Sequence, residues 1–373
     1  MVTWVLSILL FVCIFADLLF FYKIKIDIIV FSLLLFCLSS FISTLINGFN
    51  NFSPTYFLMT FFLIGVYVFC KSNNNIWKLF ILSAYFGVIL FLLFFIIVYR
   101  NELMSFNIER LGGYFGDEND IAIFNCLGAS ISLYFLFFNH NFYVKITSLL
   151  LFALFTYCGI ASGSKIVLFL LSAIALLFIV LTNGRKKWWL SLTETAFIVL
   201  AGIAILNLPF ASELKQRFLN MINLFTKSQI PGASTRDLST TDRLYMLFDG
   251  FEMFLKKPLF GFGINGFSNY GGINNGWSHN HVSEILCNTG LAGTFFYHVP
   301  FFVSFYCFFT NYSRKKILPF SLLIFFSISM ISIALPGEKM FAFIIGAVYT
   351  SLFETRPLFV IDFRRRNEIY ENC

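Results

Sequence analysis

The sequence predicts an all-α, polytopic integral membrane protein with about eleven transmembrane helices and one large extracytoplasmic loop. Three observations carry that expectation. Of 373 residues, 58% are apolar and only 12% charged, whereas a soluble domain carries roughly 25% charged residues. The mean hydropathy is +0.82. Apolar runs of about 20 residues recur along the chain, each long enough to cross a hydrocarbon core of about 30 Å.

Taken in order, the 2–22 segment lacks a basic start and a small-residue cleavage site, so it reads as the first membrane helix rather than a secretory signal. Further helices are expected at 27–47, 54–70, 79–99, 120–138, 146–161, 165–182 and 189–208. After a long loop, three more are expected at 282–309, 317–335 and 340–354. The 54 phenylalanines suit lipid-facing surfaces. Seven of the eight cysteines fall within apolar runs, and no spacing suggests zinc or a disulfide framework, so they read as packing residues.

Orientation follows from the short loops. One set carries Lys23/Lys25, Lys71/Lys78, Lys145, Arg185–Lys187 and Arg314–Lys316, and the tail adds Arg356 and Arg364–Arg366. The other set carries only Arg100, Arg110, Lys165 and Lys339 outside its long loop. The basic set is expected in the cytoplasm, with the N-terminus outside and the C-terminus cytoplasmic. The expected organisation is membrane helices one to eight over 1–208, an extracytoplasmic loop over 209–281, helices nine to eleven over 282–354, and a basic cytoplasmic tail over 355–373. The net charge of +7 is scattered among loops rather than gathered on one domain, so no nucleic-acid partner is expected.

In the long loop, Asp242–Lys257 has helical periodicity. Leu244, Leu247, Phe248, Phe251, Phe254 and Leu255 gather on one face and Asp242, Asp249, Glu252 and Lys256 on the other. Arg243 falls at the edge of the apolar face, where a helix lying on a membrane would hold it at phosphate level. The 228–241 stretch reads as a linker. Pro258 ends the helix, and Gly261, Gly263 and Gly266 follow.

Few groups could carry chemistry. His279 precedes a helix expected to begin near Val282, with Ser278 or Asn280 able to cap it. A helix N-terminus disfavours imidazolium, so a histidine there stays neutral and can act as a general base; the plainer reading is a histidine that hydrogen-bonds its own loop. His279 and His281 lack a third ligand at a telling spacing, so no metal site is expected. Arg110, followed by Gly112, Gly113 and Gly116, offers a guanidinium for phosphate or for lipid headgroups. Lys165, after Ser162-Gly163-Ser164, either snorkels or points into a polar cavity. Asp117, Glu118 and Asp120 either favour a helix N-terminus or form an alternative acidic catalytic group. Asp17, Glu194 and His298 are isolated within spans. No Walker loop, Rossmann fingerprint or nucleophile elbow is present, which argues against nucleotide-driven chemistry.

The run Asp242-Arg243 … Lys257-Pro258-Leu-Phe-Gly261-Phe-Gly263 … Phe267, then His279-Asn280 and Gly290-Leu-Ala-Gly293, resembles the O-antigen ligase/polymerase family. Arg110-x-x-Gly113-x-Phe115 is similar to that family's earlier arginine-glycine motif, and Ser162-Gly163-Ser164-Lys165 to its Ser-Arg turn, with lysine for arginine. Asp117-Glu-Asn119-Asp120 departs from the asparagine-proline sequence the family would show there. The resemblance implies metal-independent, cofactor-free glycosyl transfer from a polyprenyl-diphosphate-linked oligosaccharide in a bacterial cytoplasmic (inner) membrane. It implies His279 as the base that activates the acceptor hydroxyl, and Arg110 and Arg243 as holders of the donor diphosphate. Lys165 and Arg217 (with Lys215) would extend the cationic set for substrate. The Asn280-x-x-x-Glu284 pattern resembles polymerases more than ligases, with Asn280 and Glu284 expected at the substrate. The expected partners are the lipid-linked glycan, the bilayer and a chain-length regulator protein. A ligase acting on lipid A-core is the alternative within the family. A glycan flippase would call for charged groups at mid-membrane and repeated halves, which are not visible; a metal-dependent transferase would rest on Asp117 or Asp120.

Overall fold

The computed structural model describes residues 24–48, 54–73, 76–105, 111, 117–183, 188–226, 238–270, 278–331, 339–353 and 359–361. The helix expected at 2–22, Arg110 with its glycines, most of the 228–241 linker and most of the basic tail lie outside these residues. The fold is all-α apart from one short ladder, and it belongs to a polytopic membrane protein. In chain order the helices are α1 (Ile28–Asn47), α2 (Thr55–Ser72), α3 (Ile76–Val98), α4 (Arg100–Ser105), α5 (Glu118–Phe138), α6 (Phe142–Ala161) and α7 (Ile166–Asn183). Next come α8 (Trp188–Leu206), α9 (Ser212–Thr226), α10 (Leu238–Lys256), α11 (Gly266–Tyr270), α12 (His281–Thr310), α13 (Ile317–Ser329) and α14 (Lys339–Leu352). Ten expected spans coincide with helices, and six (α1, α2, α3, α5, α6 and α12) are long and apolar enough to cross a membrane by length and composition.

Capping explains several boundaries. Asp27 accepts from the N–H groups of Ile29 and Val30 and starts α1. Asn141 does the same for α6, which begins at Phe142 rather than at the expected 146. Asp117 accepts from the Asn119 N–H at 2.8 Å and opens α5.

The described residues divide into two compact units. The first draws on 1–82, 245–323 and 334–373, the second on 83–244 and 324–333. In the first unit, strand β1 (Ile24–Ile26) pairs antiparallel with β2 (Phe359–Ile361), with Lys25 opposite Val360. Two segments paired through backbone hydrogen bonds lie on one side of a membrane, so the chain between them crosses it an even number of times. Beside this ladder, buried Asp27 forms an ion pair with Lys71 and accepts the Tyr67 hydroxyl at 2.5 Å. The 20 residues of α1 span about 30 Å, one hydrocarbon core, between that end and Asn47.

Two expectations are corrected. The segment expected as one span over 282–309 is broken at Gly290, which has φ 64° and ψ −163°. The His281 ring lies 5.0 Å from that of Tyr297 and 5.4 Å from that of His298. Residues 16 apart on a straight helix would be about 24 Å apart, so α12 doubles back at Gly290. Windowed hydropathy does not register the break because no charged residue falls between Ile285 and Thr310, so the polar Asn288-Thr289-Gly290 is averaged out. Leu291–Thr310, at about 30 Å, suffices to cross the membrane alone.

The second correction concerns α10, which begins at Leu238, inside the stretch expected to be linker. Its expected apolar stripe is exposed: Leu247, Phe248, Phe251 and Leu255 face outward, as a helix lying against lipid would place them. It packs through buried Gly250 and through Met246 and Met253, which share a cluster with Phe267 and Cys287. A Cβ on Gly250 would stand 2.0 Å from the Ser283 Oγ and 3.3 Å from its Cβ, so the serine hydroxyl would have to rotate away for α10 to keep this approach to α12.

Candidate active site

The glycine loop completes the broken helix. An unbroken α12 would pair the carbonyls of Cys287 and Asn288 with the N–H groups of Leu291 and Ala292; the turn at Gly290 separates them. The loop substitutes for both sides. Phe262 N–H donates to the Cys287 carbonyl and Gly263 N–H to the Asn288 carbonyl, each at 2.9 Å. Leu291 N–H donates to the Pro258 carbonyl at 2.8 Å and Ala292 N–H to the Leu259 carbonyl at 3.2 Å. Four backbone groups that would be orphaned are thereby paired, the condition for a broken helix in a membrane. The contact requires glycine on both partners. A Cβ on Gly261 would lie 2.5 Å from the Cys287 carbonyl oxygen, and one on Gly290 would lie 2.5 Å from the Leu259 carbonyl.

The polar end of α1 clamps the same loop. The Ser43 hydroxyl donates to the Asn288 carbonyl at 2.8 Å and accepts from Gly263 N–H at 3.0 Å. Thr44 Oγ1 accepts from Ile264 N–H at 3.3 Å. The Asn47 amide donates to the Gly261 carbonyl at 3.0 Å, and its oxygen accepts from Lys257, whose ammonium lies over the Phe262 ring.

His279 stands on the turn that enters α12. The helix begins at His281, and of the two expected caps it is Asn280 that acts, its side-chain oxygen accepting from Ser283 N–H at 3.1 Å. His279, half-buried, immediately precedes that cap with φ 50°, a left-handed conformation uncommon outside glycine. The Ser278 hydroxyl bridges over it to the Asn280 carbonyl at 2.8 Å. Glu284 is fully buried, with Oε2 accepting from Ser278 N–H at 2.9 Å and Oε1 from the Asn288 amide at 3.1 Å. His279, Asn280 and Glu284 are thus brought together on one turn. His281 faces the other way, between the arms of α12; among the described residues neither ring nitrogen has a hydrogen-bond partner, nor does the neighbouring Tyr297 hydroxyl.

Lys165 and Arg217 are brought together in the second unit. Gly163 turns the chain between α6 and α7 with φ 67°. The Arg217 guanidinium, from α9 and buried, donates to the Gly163 carbonyl at 2.8 Å. Ser164 donates to Asn119 Oδ1 at 2.6 Å, and the Asn119 amide donates to Asp117 at 2.7 Å. Asp117 therefore serves as a cap and as a brace for this turn. Ile160 and Val167, either side of it, line an apolar cavity of about 570 Å³ that also touches Leu133, Thr156 and Glu194. Arg243 lies on α10, seven residues before Gly250 and so on the helix face that packs. Among the described residues, no three His, Cys, Asp or Glu side chains gather as a metal site would require.

Residues 150–298 match the family model described as O-antigen ligase. The matched stretch contains the Ser162–Lys165 turn, Arg217, Arg243, the glycine loop, His279 and the Gly290 break. This chain carries an O-antigen ligase family region. Curated proteins give no match to the chain. Arg110 and α1 lie outside the O-antigen ligase family region, although Ser43, Thr44 and Asn47 of α1 hold its glycine loop.

Sequence reasoning missed several residues of this site. Asn288 joins three segments: its side-chain oxygen accepts from Phe267 N–H at 3.0 Å, its amide donates to Glu284, and its carbonyl receives Ser43 and Gly263. Buried Tyr56, at the start of α2, approaches Glu284 and Asn288 without completing a hydrogen bond. The available signal was the polar run Ser43-Thr44-x-x-Asn47 at the end of an otherwise apolar helix, and Asn288 nine residues after His279 inside an apolar run.

Proposed function

We propose that this protein is a polysaccharide polymerase of the bacterial inner membrane. It would transfer a glycan from its polyprenyl diphosphate carrier to a sugar hydroxyl of another lipid-linked repeat unit. The observation that carries the reading is His279, held on a constrained turn at the start of a capped helix inside the matched family region. His279 removes the proton from the acceptor hydroxyl, whose oxygen attacks the anomeric carbon of the donor. The bond from that carbon to the diphosphate oxygen breaks, and the diphosphate leaves with the electron pair on its carrier lipid. Arg243 and Arg110 offset the charge that grows on the leaving group, a role cations fill without proton transfer. Lys165 and Arg217 extend the anion-binding set. The apolar cavity flanking their turn suits the isoprenoid chain of such a lipid. Transfer proceeds without a metal, and a chain-length regulator acts as partner.

The family description favours a second reading, a ligase that moves finished polymer onto lipid A-core. One experiment separates the two. A strain deleted for this gene is complemented with wild type, His279→Ala or Arg243→Ala, membrane accumulation is verified, and its surface polysaccharide is run on a gel. A polymerase defect leaves lipid A-core capped with a single repeat unit. A ligase defect leaves bare core while long polymer accumulates on the carrier lipid. A normal ladder from His279→Ala would remove His279 as the base.

A further inference from the structure

We infer that Glu284 is a positioning residue for His279, acting through Ser278, rather than a contact to substrate; this rests on reading His279 as the base. Glu284 has no exposed surface, and both its oxygens are engaged. Oε2 holds the buried N–H of Ser278, the residue immediately before His279. Oε1 holds Asn288, which also receives Phe267 N–H on its side chain and Ser43 on its carbonyl. The carboxylate is therefore the link between the histidine turn and the assembly of glycine loop and α1. Its complete burial, rather than a lack of lone pairs, keeps a substrate hydroxyl from it.

The turn depends on such a link. A histidine at φ 50° occupies a sparsely populated region and remains there only when its surroundings over-determine it. Two constraints flank His279: the Ser278 hydroxyl on the Asn280 carbonyl, and Glu284 on the Ser278 N–H. Both partners of Glu284 are donors, so a group that only accepts is required. Glutamine keeps one acceptor and sets an N–H₂ against either the Ser278 N–H or the Asn288 amide, so Glu284→Gln breaks one of the two bonds at nearly unchanged volume. Glu284→Asp keeps the charge and shortens the reach.

The test uses full-length protein in lipid nanodiscs with a polyprenyl-diphosphate-linked oligosaccharide. Each Glu284 variant is made alone and with His279→Ala. Glu284→Gln is expected to lower kcat at least about tenfold with the donor KM unchanged, and to add nothing in the His279→Ala background. A second readout needs no turnover: diethyl pyrocarbonate labels histidines, and peptide mass spectrometry follows His279, with exposed His140 as internal control. The labelling rate of His279 is expected to change in Glu284→Gln while that of His140 does not. Equal losses with and without His279 would overturn the proposal, as would an unchanged His279 labelling rate. Should Glu284→Gln not accumulate in membranes, Glu284→Asp carries the same comparison. If His279→Ala itself keeps full activity, the base assignment fails, and the labelling rates still decide whether Glu284 holds the turn.

Discussion

Replacing Gly290 with alanine drives a methyl group into the backbone of Leu259. The new Cβ would stand 2.5 Å from both the carbon and the oxygen of that carbonyl, and 2.6 Å from the Phe260 nitrogen. Relief to ordinary contact requires the loop to retreat by about 1 Å. That retreat stretches Leu291 N–H to Pro258 from 2.8 Å, and Ala292 N–H to Leu259 from 3.2 Å, past any useful hydrogen bond. Each lost bond contributes about 1 kcal/mol, and an N–H left unpaired away from water costs about 1–3 kcal/mol. Holding a non-glycine residue at φ 64° and ψ −163° adds about 1–3 kcal/mol. The expected destabilisation is about 3–9 kcal/mol, a large share of the ~5–15 kcal/mol typical of a folded domain. The assay is thermal unfolding of detergent-purified protein by tryptophan fluorescence, with the polysaccharide ladder of the complemented strain beside it. Gly290→Ala should lower the melting temperature by about 10 °C and abolish the ladder. Gly202→Ala in α8, where a Cβ meets nothing within 4 Å, should leave both unchanged. A Gly290→Ala protein with wild-type melting and a normal ladder would refute the exchange of loop for helix hydrogen bonds as the basis of the site.

Four further outcomes are expected. His279→Ala should cut turnover by about 10²–10⁴-fold at unchanged melting temperature, measured on lipid-linked substrate. Asn47→Ala removes the donor to the Gly261 carbonyl and the acceptor for Lys257; a stability loss of about 1–3 kcal/mol and faster proteolysis at the 257–264 loop should follow. Asp27→Ala strips the α1 cap and leaves Lys71 and Tyr67 without their carboxylate. It should lower stability by about 3–5 kcal/mol, seen in melting and membrane abundance, while the protein that does fold keeps its specific activity. Turnover by purified protein should persist in excess chelator; its loss, restored by a divalent metal, would redirect the mechanism to Asp117 or Asp120.

Much of the fold was legible because membrane crossing leaves a one-dimensional signature. Apolar runs placed ten helices within a few residues of where they stand, and glycine, histidine and asparagine spacing marked the site. The misses have local causes. Leu238-Ser-Thr-Thr241 carries no apolar period and reads as linker, yet α10 starts there, while its stripe Leu247/Phe248/Phe251/Leu255 faces outward as the expected membrane-surface helix would place it. In a membrane protein the apolar stripe can face lipid, while Met246, Gly250 and Met253 face the core. The reversal at Gly290 is hidden because a hydropathy window of about 20 residues averages the short polar Asn288-Thr289-Gly290 into the apolar residues on either side.

The sequence by itself determined that this chain is a helical membrane protein and where its long apolar helices lie, and it singled out the glycine loop and His279 as candidates, because hydrophobic length and glycine content act locally. Tertiary structure alone decided the rest. It set the orphaned carbonyls of Cys287 and Asn288 against the N–H groups of a loop about 25 residues earlier in the chain. It brought Ser43 and Asn47 of α1 across more than 200 residues to hold that loop. It buried Glu284 and set its carboxylate against the Ser278 N–H. Such pairings satisfy buried polar groups over distances in the chain that no local pattern records, and a backbone hydrogen bond carries no side-chain identity for a sequence to display.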